Sequence, residues 1–532
     1  MLRHSLLRLV IVLGFVSVLS WLPVGPTETD WTVRAAPCEF CPPHPVRWDF
    51  NGDGYKDLVV DVPYERLDDE EVAPGAVHVL YGGQTGVTST GNQFLTHLTS
   101  PKVGNGKAGS SFDSGDFNGD GFADLAVGAK VARASGGLRS GVVDVLYGSS
   151  SGLSGWKHQE WDNMSAPTWP APAGSAAFGA ALAAGDFNAD GFDDLAIGAT
   201  GGGGYVIVLD GSASGLTAAG SDVWTQDSPG IPGAIEGTDL FGNVLLAANF
   251  GKGSADDLAI GAPRDFVGTR LAGSPGANAG SVHILYGSEQ GLAAAGTQRF
   301  TQGGVLGGVP EDEDWLGGAL ARGDFNADGS TDLAIGAPHE DMGVSDTGIV
   351  YVIHGTPDGL DSAAAPRVIS AATLGLAPET RRLGASLTAG NFGTKGCVGC
   401  DDLAIGAPLE NSTPEGDYNG AVYVMYGAAD GNAATVERWE PGGSVPGKRF
   451  FGFAVAAHNF GKGGHADLVV GVSTDTNYVY GAGAAVILYG NSTGLTTSGV
   501  QFWSQASPGV PGSPETTYAG DHFAFGLGKS IR

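Results

Sequence analysis

Basic residues are scarce in this chain. It contains 27 Lys and Arg against 57 Asp and Glu in 532 residues, which gives a formal net charge of -30. A surface of that charge repels the phosphates of nucleic acids and of anionic lipid headgroups. We therefore expect no nucleic-acid partner, and the excess of carboxylates favours bound cations instead.

Signatures of catalysis and of membrane insertion are missing as well. The 11 His residues do not form the H-E-x-x-H pattern of a zinc protease. After Leu19 no run of about 18 apolar residues follows, so no membrane-spanning segment is predicted there. The hydrophobic fraction of 42% still suffices for a packed core. We predict a folded protein without catalytic residues.

Cysteine is rare, and its four copies form two C-x-x-C pairs, Cys38/Cys41 and Cys397/Cys400. An oxidising compartment would favour two small local disulfides. A zinc site is the alternative, although the two pairs lie in repeats that should not be spatial neighbours. A redox role is weaker, because no thioredoxin-like pattern of strand and helix surrounds either pair.

Residues 1–35 are predicted to be a secretory signal peptide. A basic start is followed by the apolar run Leu6–Leu19 and by Pro23, and the run is short for a membrane span. An uncleaved anchor is the alternative. Residues 36–47 would form a short segment before the main domain. The mature protein is therefore expected to be secreted, without membrane contact, and association with the cell surface remains open.

Residues 48–532 contain seven copies of a pattern close to D-F-N-x-D-G-x-x-D-L-A-x-G-A, spaced by roughly 65 to 75 residues. A strand pattern close to V-x-V-L-Y-G also recurs seven times. Each repeat predicts four short antiparallel strands with no helical periodicity. Such sheets must stack radially to bury both faces. We predict an all-β fold, a seven-bladed β-propeller of four-stranded antiparallel blades. The copies begin at Asp49, Asp116, Asp186, Asn249, Asp324, Asn391 and Asn459.

The two ends of the repeat region are complementary. An F-G strand precedes the later copies of the pattern, but only V-R-W stands before Asp49. The chain ends in F-G-L-G-K-S-I-R from Phe525, which aligns with the strand that the first repeat lacks. Aligned on the third repeat, Arg532 takes the position of Gly185. We predict that residues 523–530 form the innermost strand of the first blade and close the ring.

Four copies keep oxygen-bearing side chains at alternate positions of a nine-residue loop, which is how a peptide cages calcium. Three carboxylates so close together would repel one another without a cation. A bare Asx-rich turn is the alternative. The predicted ligands, with the backbone carbonyl of the fourth residue in each set, are Asp49, Asn51, Asp53, Tyr55 and Asp57; Asp116, Asn118, Asp120, Phe122 and Asp124; Asp186, Asn188, Asp190, Phe192 and Asp194; and Asp324, Asn326, Asp328, Ser330 and Asp332.

About four structural calcium ions are expected from these loops. Extracellular calcium modules bind with Kd on the order of 10⁻⁴ to 10⁻³ M. At about 1 mM calcium each site would add roughly 0.4 to 1.4 kcal/mol of stability. The loops at Asn249 and Asn459 carry Gly and Lys in place of acidic ligands, and the loop at Asn391 is longer and holds a C-x-x-C pair. These three loops should be free of metal.

These residues resemble the FG-GAP repeat of integrin alpha subunits: F-G before the loop, D-x-N-x-D-G-x-x-D within it, and G-A-P after it at Gly261, Gly336 and Gly406. The resemblance implies a seven-bladed propeller with calcium in some loops and protein ligands on the opposite face. No thigh, calf or inserted adhesion domain is recognised, so it implies a stand-alone secreted propeller of the bacterial type. Similar repeats occur in a glycosylphosphatidylinositol-specific phospholipase D, whose catalytic domain has no counterpart here.

The expected function is that of an extracellular binding or adhesion module for a protein or carbohydrate ligand, acting as a monomer. A secreted hydrolase or lyase acting on lipid or polysaccharide is one alternative, and perturbed acids and bases in the central channel would support it. A non-catalytic cell-surface scaffold is another. The tripeptide Arg322-Gly323-Asp324 is better explained by the repeat than by adhesion, since Asp324 is a predicted calcium ligand.

Overall fold

Each repeat folds into one antiparallel sheet, because its short apolar segments are separated by turns rich in Gly, Asn and Asp. The computed structural model describes residues 47–63, 75–96, 109, 111–130, 140–166, 168–169, 176–268, 276–377, 379, 381–410, 418–431, 435–442, 450–472, 483–511 and 524. Pro45–Arg532 is one compact unit. The predicted signal peptide and Cys38/Cys41 lie outside the described residues.

Seven sheets follow one another along the chain, here called blades 1 to 7, and sequential strands pair antiparallel within each. Blade 1 contains β1 (Leu58–Val62), β2 (Ala76–Tyr81) and β3 (Thr88–Leu95). Blade 2 contains β4 (Ser111–Gly115), β5 (Asp124–Ala129), β6 (Val142–Tyr147) and β7 (Ser154–Trp161). Blade 3 contains β8 (Phe178–Gly185), β9 (Asp194–Ala199), β10 (Tyr205–Asp210) and β11 (Thr217–Trp224).

Blades 4 and 5 each contain an additional two-stranded ribbon. Blade 4 contains β12 (Val244–Ala248), β13 (Asp257–Ala262), the ribbon β14 (Val267–Gly268) and β15 (Gly276–Ala277), then β16 (Ser281–Tyr286) and β17 (Ala293–Phe300). Blade 5 contains β18 (Ala319–Gly323), β19 (Asp332–Ala337), β20 (Ile349–Ile353), the ribbon β21 (Gly355–Thr356) and β22 (Gly359–Leu360), and β23 (Arg367–Ser370).

The last two blades are regular. Blade 6 contains β24 (Ser386–Gly390), β25 (Asp402–Ala407), β26 (Ala421–Tyr426) and β27 (Thr435–Trp439). Blade 7 contains β28 (Phe451–His458), β29 (Asp467–Val472), β30 (Ala484–Asn491) and β31 (Gly494–Trp503). Within the described part of the chain the helical content is one 3₁₀ turn, Gly201–Gly203, and no helix there is long and apolar enough to cross a membrane.

The core is divided among the interfaces between blades. Seven large clusters of buried apolar side chains each join two neighbouring blades around the ring. One of them combines Leu58 and Val60 of blade 1 with Phe460 and Ile487 of blade 7. Blade 7 therefore packs directly against blade 1. The predicted all-β, seven-bladed propeller is confirmed.

Hydrogen bonds repeat around the ring in the same way. The residue before the last Asp of a loop donates its N–H to the first carbonyl of the preceding loop, as from Asp256 to Asp186 (2.8 Å). Lys56 makes the corresponding bond to Asn459 (3.1 Å), across the interface of blades 1 and 7. A second set joins a Tyr hydroxyl to the next blade: Tyr489 Oη accepts the N–H of Val87 (3.3 Å). These bonds fix the register of neighbouring sheets.

Most of the predicted closing strand lies outside the described residues, with the exception of Ala524. Its N–H donates to the carbonyl of Asp61 on β1 (3.0 Å), the bond that Gly242 makes to Gly261 in blade 4 (3.2 Å). Ala524 also shares the positive φ of these glycines, 63° against 84° for Gly242. Ala524 therefore occupies the glycine position of the F-G pair. The sequence alignment assigned this position to Gly526, two residues later in the chain. Closure by the whole segment stays a prediction.

Candidate functional site

The four loops with intact acidic patterns, 49–57, 116–124, 186–194 and 324–332, are called the acid loops here. In each, the N–H at the fifth position donates to side-chain oxygens at both the first and the third, at 2.8–3.1 Å. The N–H of the following Gly binds the second carboxylate oxygen of the first position at 2.9 Å. The structure thus brings the predicted ligands at the first and third positions together on the inner side of every acid loop.

Electrostatics within the acid loops of blades 2 and 3 favour a cation. Burial raises the pKa of Asp116, and the neighbouring Asp120 carboxylate raises it further. The pKa of Asp186 is raised by burial and by Asp190 and Asp193. The donors are oxygens of carboxylates and amides, which calcium prefers. The predicted residues at the first, third and fifth positions, with the carbonyl of the seventh, therefore fit calcium, which would neutralise this mutual repulsion.

The Asp at the ninth position has a role that the sequence did not reveal. Its two oxygens accept the N–H of the loop's second residue and the N–H of a Gly after the third strand, at 2.7–3.0 Å. The last Asp does this in all seven loops, including the three without a cage; in the longer loop at Asn391 it stands at the twelfth position. These residues are Asp57, Asp124, Asp194, Asp257, Asp332, Asp402 and Asp467. This residue anchors the loop to its blade with or without metal.

The loops at Asn249 and Asn459 carry an internal cation. Lys252 Nζ donates to the carbonyl of Gly296 (3.0 Å) and lies 3.5 Å from the centre of the Tyr286 ring. Lys462 makes the same contacts with Gly499 (2.9 Å) and Tyr489 (3.7 Å). Lys395 in the third loop without a cage pairs with Glu437. In that loop Cys397 and Cys400 form the expected local disulfide, with Cα atoms 5.5 Å apart.

The ninth Asp of blade 4 gives a pH prediction that does not involve metal. Burial raises the pKa of Asp257 to about 7, although two backbone N–H donors act against this. Between pH 4 and 7 the folded protein thus retains a proton that the unfolded chain has released. The resulting stability is present at low pH and is lost as the pH rises to about 7, by at most about 1.4 kcal/mol per pH unit.

Urea unfolding from pH 5 to 8, in the presence of chelator, measures this. The wild type should lose stability with rising pH relative to Asp257→Asn, whose side chain does not titrate. A constant difference between the two proteins across this range would contradict the prediction.

A cavity of about 270 Å³ opens at the opposite end of blades 5 to 7. Trp315, Arg382 and Phe450 line it, and each stands immediately before the L-G or F-G pair of its blade. Their φ angles are 58°, 53° and 53°, a left-handed conformation that is costly for bulky residues. His339 completes one wall, with its ring centre 4.6 Å from that of Trp315. The position before the F-G pair is the sequence signal that would have identified this pocket.

A second, acidic cavity of about 200 Å³ shares His339 with the first. Its walls include Glu311, Asp312, Asp341 and Asp346. His339 Nδ1 lies 3.1 Å from Asp346, whose carboxylate also binds Arg382 (3.2 Å). An aromatic pocket and an acidic pocket therefore adjoin at one end of the ring, called the upper face here.

The central channel contains a third cavity, of about 240 Å³, lined by Arg47, Asp113 and Arg322 among others. Arg47 contacts Asp193 (3.4 Å), and Arg322 donates to the carbonyl of Ala247 (2.6 Å). Arg322 therefore lines the channel, as expected if its R-G-D tripeptide is part of the repeat. Burial raises the pKa of Asp113, but both its oxygens accept backbone N–H groups, from Ala184 and Ser114.

The chain matches the family model "FG-GAP repeat" over residues 108–146, 178–209 and 316–353. It is 31% identical over 189 residues to a phosphatidylinositol-glycan-specific phospholipase D of Rattus norvegicus, covering 34% of this chain and 21% of that one. It is 37% identical over 158 residues to integrin alpha-PS5 of Drosophila melanogaster, covering 29% and 14%. The aligned segments thus span about a fifth or less of these relatives.

Among solved structures, rhamnogalacturonan lyase YesW covers 81% of this chain and 85% of its own, with 10% identity and a TM-score of 0.34. This similarity is too low to support an inference. The sequence relatives include a phospholipase D and integrin alpha subunits. The choice between an enzymatic and a binding function rests on the site.

Proposed function

Because the chain is an FG-GAP repeat protein with an integrin-alpha-like β-propeller, we propose that it is an extracellular, calcium-stabilised binding module. Its ligand would be a protein or a glycan, held at the upper face. The observation that carries this proposal is the aromatic pocket of Trp315, Arg382 and Phe450. The positive φ of these three residues is shared by Ala177 (50°) and Leu240 (61°) at the same position in blades 3 and 4, so it belongs to the repeat. What distinguishes blades 5 to 7 is that three large side chains at this position line one cavity.

The chemistry of the upper face indicates the kind of ligand. Aromatic and Pro side chains offer apolar contact and stacking, and the adjoining carboxylates of Glu311, Asp341 and Asp346 offer charge. A ligand that combines an apolar or aromatic group with a nearby basic group would complement both pockets. A sugar could stack on Trp315 while its hydroxyls bind the carboxylates.

Calcium would act at a distance from the ligand. The acid loops connect the first and second strands of their blades. The aromatic pocket is built from the F-G and G-A-P turns of blades 5 to 7, which lie at the opposite ends of the corresponding strands. The residues of the acid loops would hold the ion, and its chemistry there is the neutralisation of their carboxylates. Removal of the ions from the acid loops should therefore weaken binding through loss of stability and not through loss of a ligand contact.

A hydrolase or lyase is the second candidate, because one relative is a phospholipase D and the channel contains an acid with a raised pKa. Asp113 is nevertheless held by two backbone donors and lies beside the Arg47 guanidinium. These contacts support a structural role for the channel residues. We therefore place the binding module first.

Binding of the purified chain to an array of matrix proteins and polysaccharides, with calcium and with chelator, tests the proposal. For a ligand found there, Trp315→Ala and Phe450→Ala should each weaken binding at least about tenfold, the effect of losing a buried aromatic contact. Val368→Ala, at an exposed apolar residue on outer strand β23, serves as the control and should bind as the wild type does.

The result that would overturn the proposal is unchanged binding by both pocket variants. Saturable binding that is lost only in a channel variant would point to the channel instead. Turnover of a lipid or polysaccharide that Asp113→Asn abolishes would establish the enzyme in place of the binding module.

A further inference from the structure

Three acidic side chains converge in blade 4, at the end opposite its loop at Asn249. Glu236 and Asp239 precede β12, and Asp265 follows β13. Since Val244 pairs with Gly261, the start of β12 lies beside the end of β13. One carboxylate oxygen from each of the three residues lies within 4.8 Å of the other two. Residues 26 and 29 positions apart in sequence are thus brought to one point.

Two of these three groups are buried, and one carboxylate oxygen of Asp239 lacks a partner in the described part of the chain. Asp239 is fully buried and Asp265 is 1% exposed. Asp239 Oδ2 accepts the N–H of Glu236, but Oδ1 has no hydrogen-bond partner among the described residues. A buried carboxylate oxygen without a donor costs several kcal/mol. A ligand that binds oxygen would remove this penalty.

A second side chain at this place also lacks partners. Gln226 is 1% exposed, and neither its amide oxygen nor its nitrogen has a partner among the described residues. Its equivalent in the next interface is Gln302, which also stands two residues after the outer strand. Gln302 Nε2 donates to Glu340, the residue at the position of Asp265. A Cβ placed on Gly233 would lie 3.3 Å from Gln226 Nε2 and 3.9 Å from Arg299 Cζ, so the Gln226 amide lies near the guanidinium that binds Asp265.

The carboxylates of the cluster repel one another. Arg299 binds one of them, since its guanidinium contacts Asp265 Oδ2 (2.5 Å). The neighbouring His283 does not supply charge, because burial lowers its pKa to about 4. Burial, assisted by Asp265 and Glu236, raises the pKa of Asp239 to about 7. A bound cation would relieve the repulsion among these acids.

Blade 6 shows how the same position is neutralised from within. Arg381 stands three residues before the glycine of its L-G pair, as Asp239 does before Gly242. Its guanidinium lies 3.7 Å from Glu410, the residue that corresponds to Asp265. Glu410 is also bound by Arg438 (2.8 Å) and by the Tyr423 hydroxyl (2.6 Å). Blade 4 has an acid where blade 6 has this arginine.

We propose that Glu236, Asp239 and Asp265 bind a divalent cation, with Gln226 Oε1 as a further oxygen ligand. The donor set consists of oxygens, which favours Ca²⁺ or Mg²⁺ over transition metals. The site lies at the upper face, separate from the acid loops. It does not depend on the proposed ligand, because occupancy can be measured with the metal alone.

The test is the number of calcium ions bound by the full chain in equilibrium dialysis at about 1 mM Ca²⁺, near the weak end of extracellular sites. Asp239→Asn should bind one ion fewer than the wild type. Glu289→Gln removes the same charge from an exposed residue of blade 4 and should bind as many ions as the wild type. Repeating the dialysis with Mg²⁺ distinguishes the two metals.

Asp239→Arg guards against a folding artefact, because it reproduces the arginine of blade 6. This variant should fold without the ion and bind one ion fewer than the wild type. A folded Asp239→Asn or Asp239→Arg protein that binds as many ions as the wild type would overturn the proposal. That outcome would indicate a proton shared among the three acids.

Discussion

Removal of residues 523–532 is expected to abolish cooperative folding of the ring. In the described residues blade 1 has three strands, and Ala524 is the point at which the C-terminal segment reaches β1. Without the segment, the buried Leu58, Val60 and Val62 would border an open sheet edge. Each large apolar side chain of the inner strands that becomes exposed lowers the free energy of unfolding by about 1.5–3 kcal/mol. Three such side chains already approach a typical net stability of about 5–15 kcal/mol.

Urea unfolding followed by circular dichroism and tryptophan fluorescence measures this effect. The truncated chain should be largely unfolded, or should unfold at much lower urea and without a single transition. Removal of Ile531 and Arg532 alone provides the control. If Ala524 takes the place of Gly179, the inner strand ends at or before Ser530, and this shorter deletion should leave stability unchanged.

The shorter deletion also distinguishes the two registers of the closing strand, with Ala524 or with Gly526 in the glycine position of the F-G pair. The sequence alignment put Arg532 at the last strand position, so the shorter deletion would then remove two strand residues. Trp48 already occupies the last position of the inner strand beside β1, since its carbonyl accepts the N–H of Asp57. A stable chain without residues 523–532 would contradict closure altogether.

The fold could be predicted from the sequence because the repeats are regular. Each blade contains one Asx-rich loop and one V-x-V-L-Y-G strand, so their spacing determines blade number and strand order. The register of the closing strand against β1 was wrong in the sequence alignment. The segment H-F-A-F-G-L-G contains two dipeptides that resemble the F-G pair, Phe523-Ala524 and Phe525-Gly526. The alignment chose Phe525-Gly526, whereas Ala524 adopts the positive φ that the first pair requires. An alanine in a glycine position gives no sequence signal.

The sites were only partly predictable for a related reason. Oxygens at the first and third positions of an acid loop are close in sequence, and local turns bring them together. The pocket of Trp315, Arg382 and Phe450 and the cluster of Asp239 with Asp265 join residues from separate turns. Their proximity follows from strand pairing and blade packing, which a motif does not encode. The two-fold anchoring by the ninth Asp is also invisible in sequence, because its partners are backbone N–H groups.

Asp467→Ala and Asp190→Asn should separate the two functions that acidic residues have in the loops. Asp467 is fully buried and binds the N–H groups of Phe460 (2.9 Å) and Gly490 (2.9 Å) in a loop without a cage. Its removal leaves two buried donors unpaired, at a cost of about 1–3 kcal/mol each. The expected loss of about 2–5 kcal/mol in the free energy of unfolding should be equal in calcium and in chelator.

Asp190→Asn should behave in the opposite way. Asp190 is exposed, and its side chain accepts the N–H of Phe192 (2.9 Å), which an Asn oxygen can also do. Its substitution should leave stability in chelator nearly unchanged and remove roughly 0.4–1.4 kcal/mol of the stabilisation that about 1 mM calcium provides. Equal effects of calcium on the wild type and Asp190→Asn would mean that this acid loop is an Asx turn without metal. If calcium restored the stability that Asp467→Ala loses, metal would have to bind in the loop that carries Lys462. That outcome would contradict the prediction, because the Lys462 ammonium repels a cation.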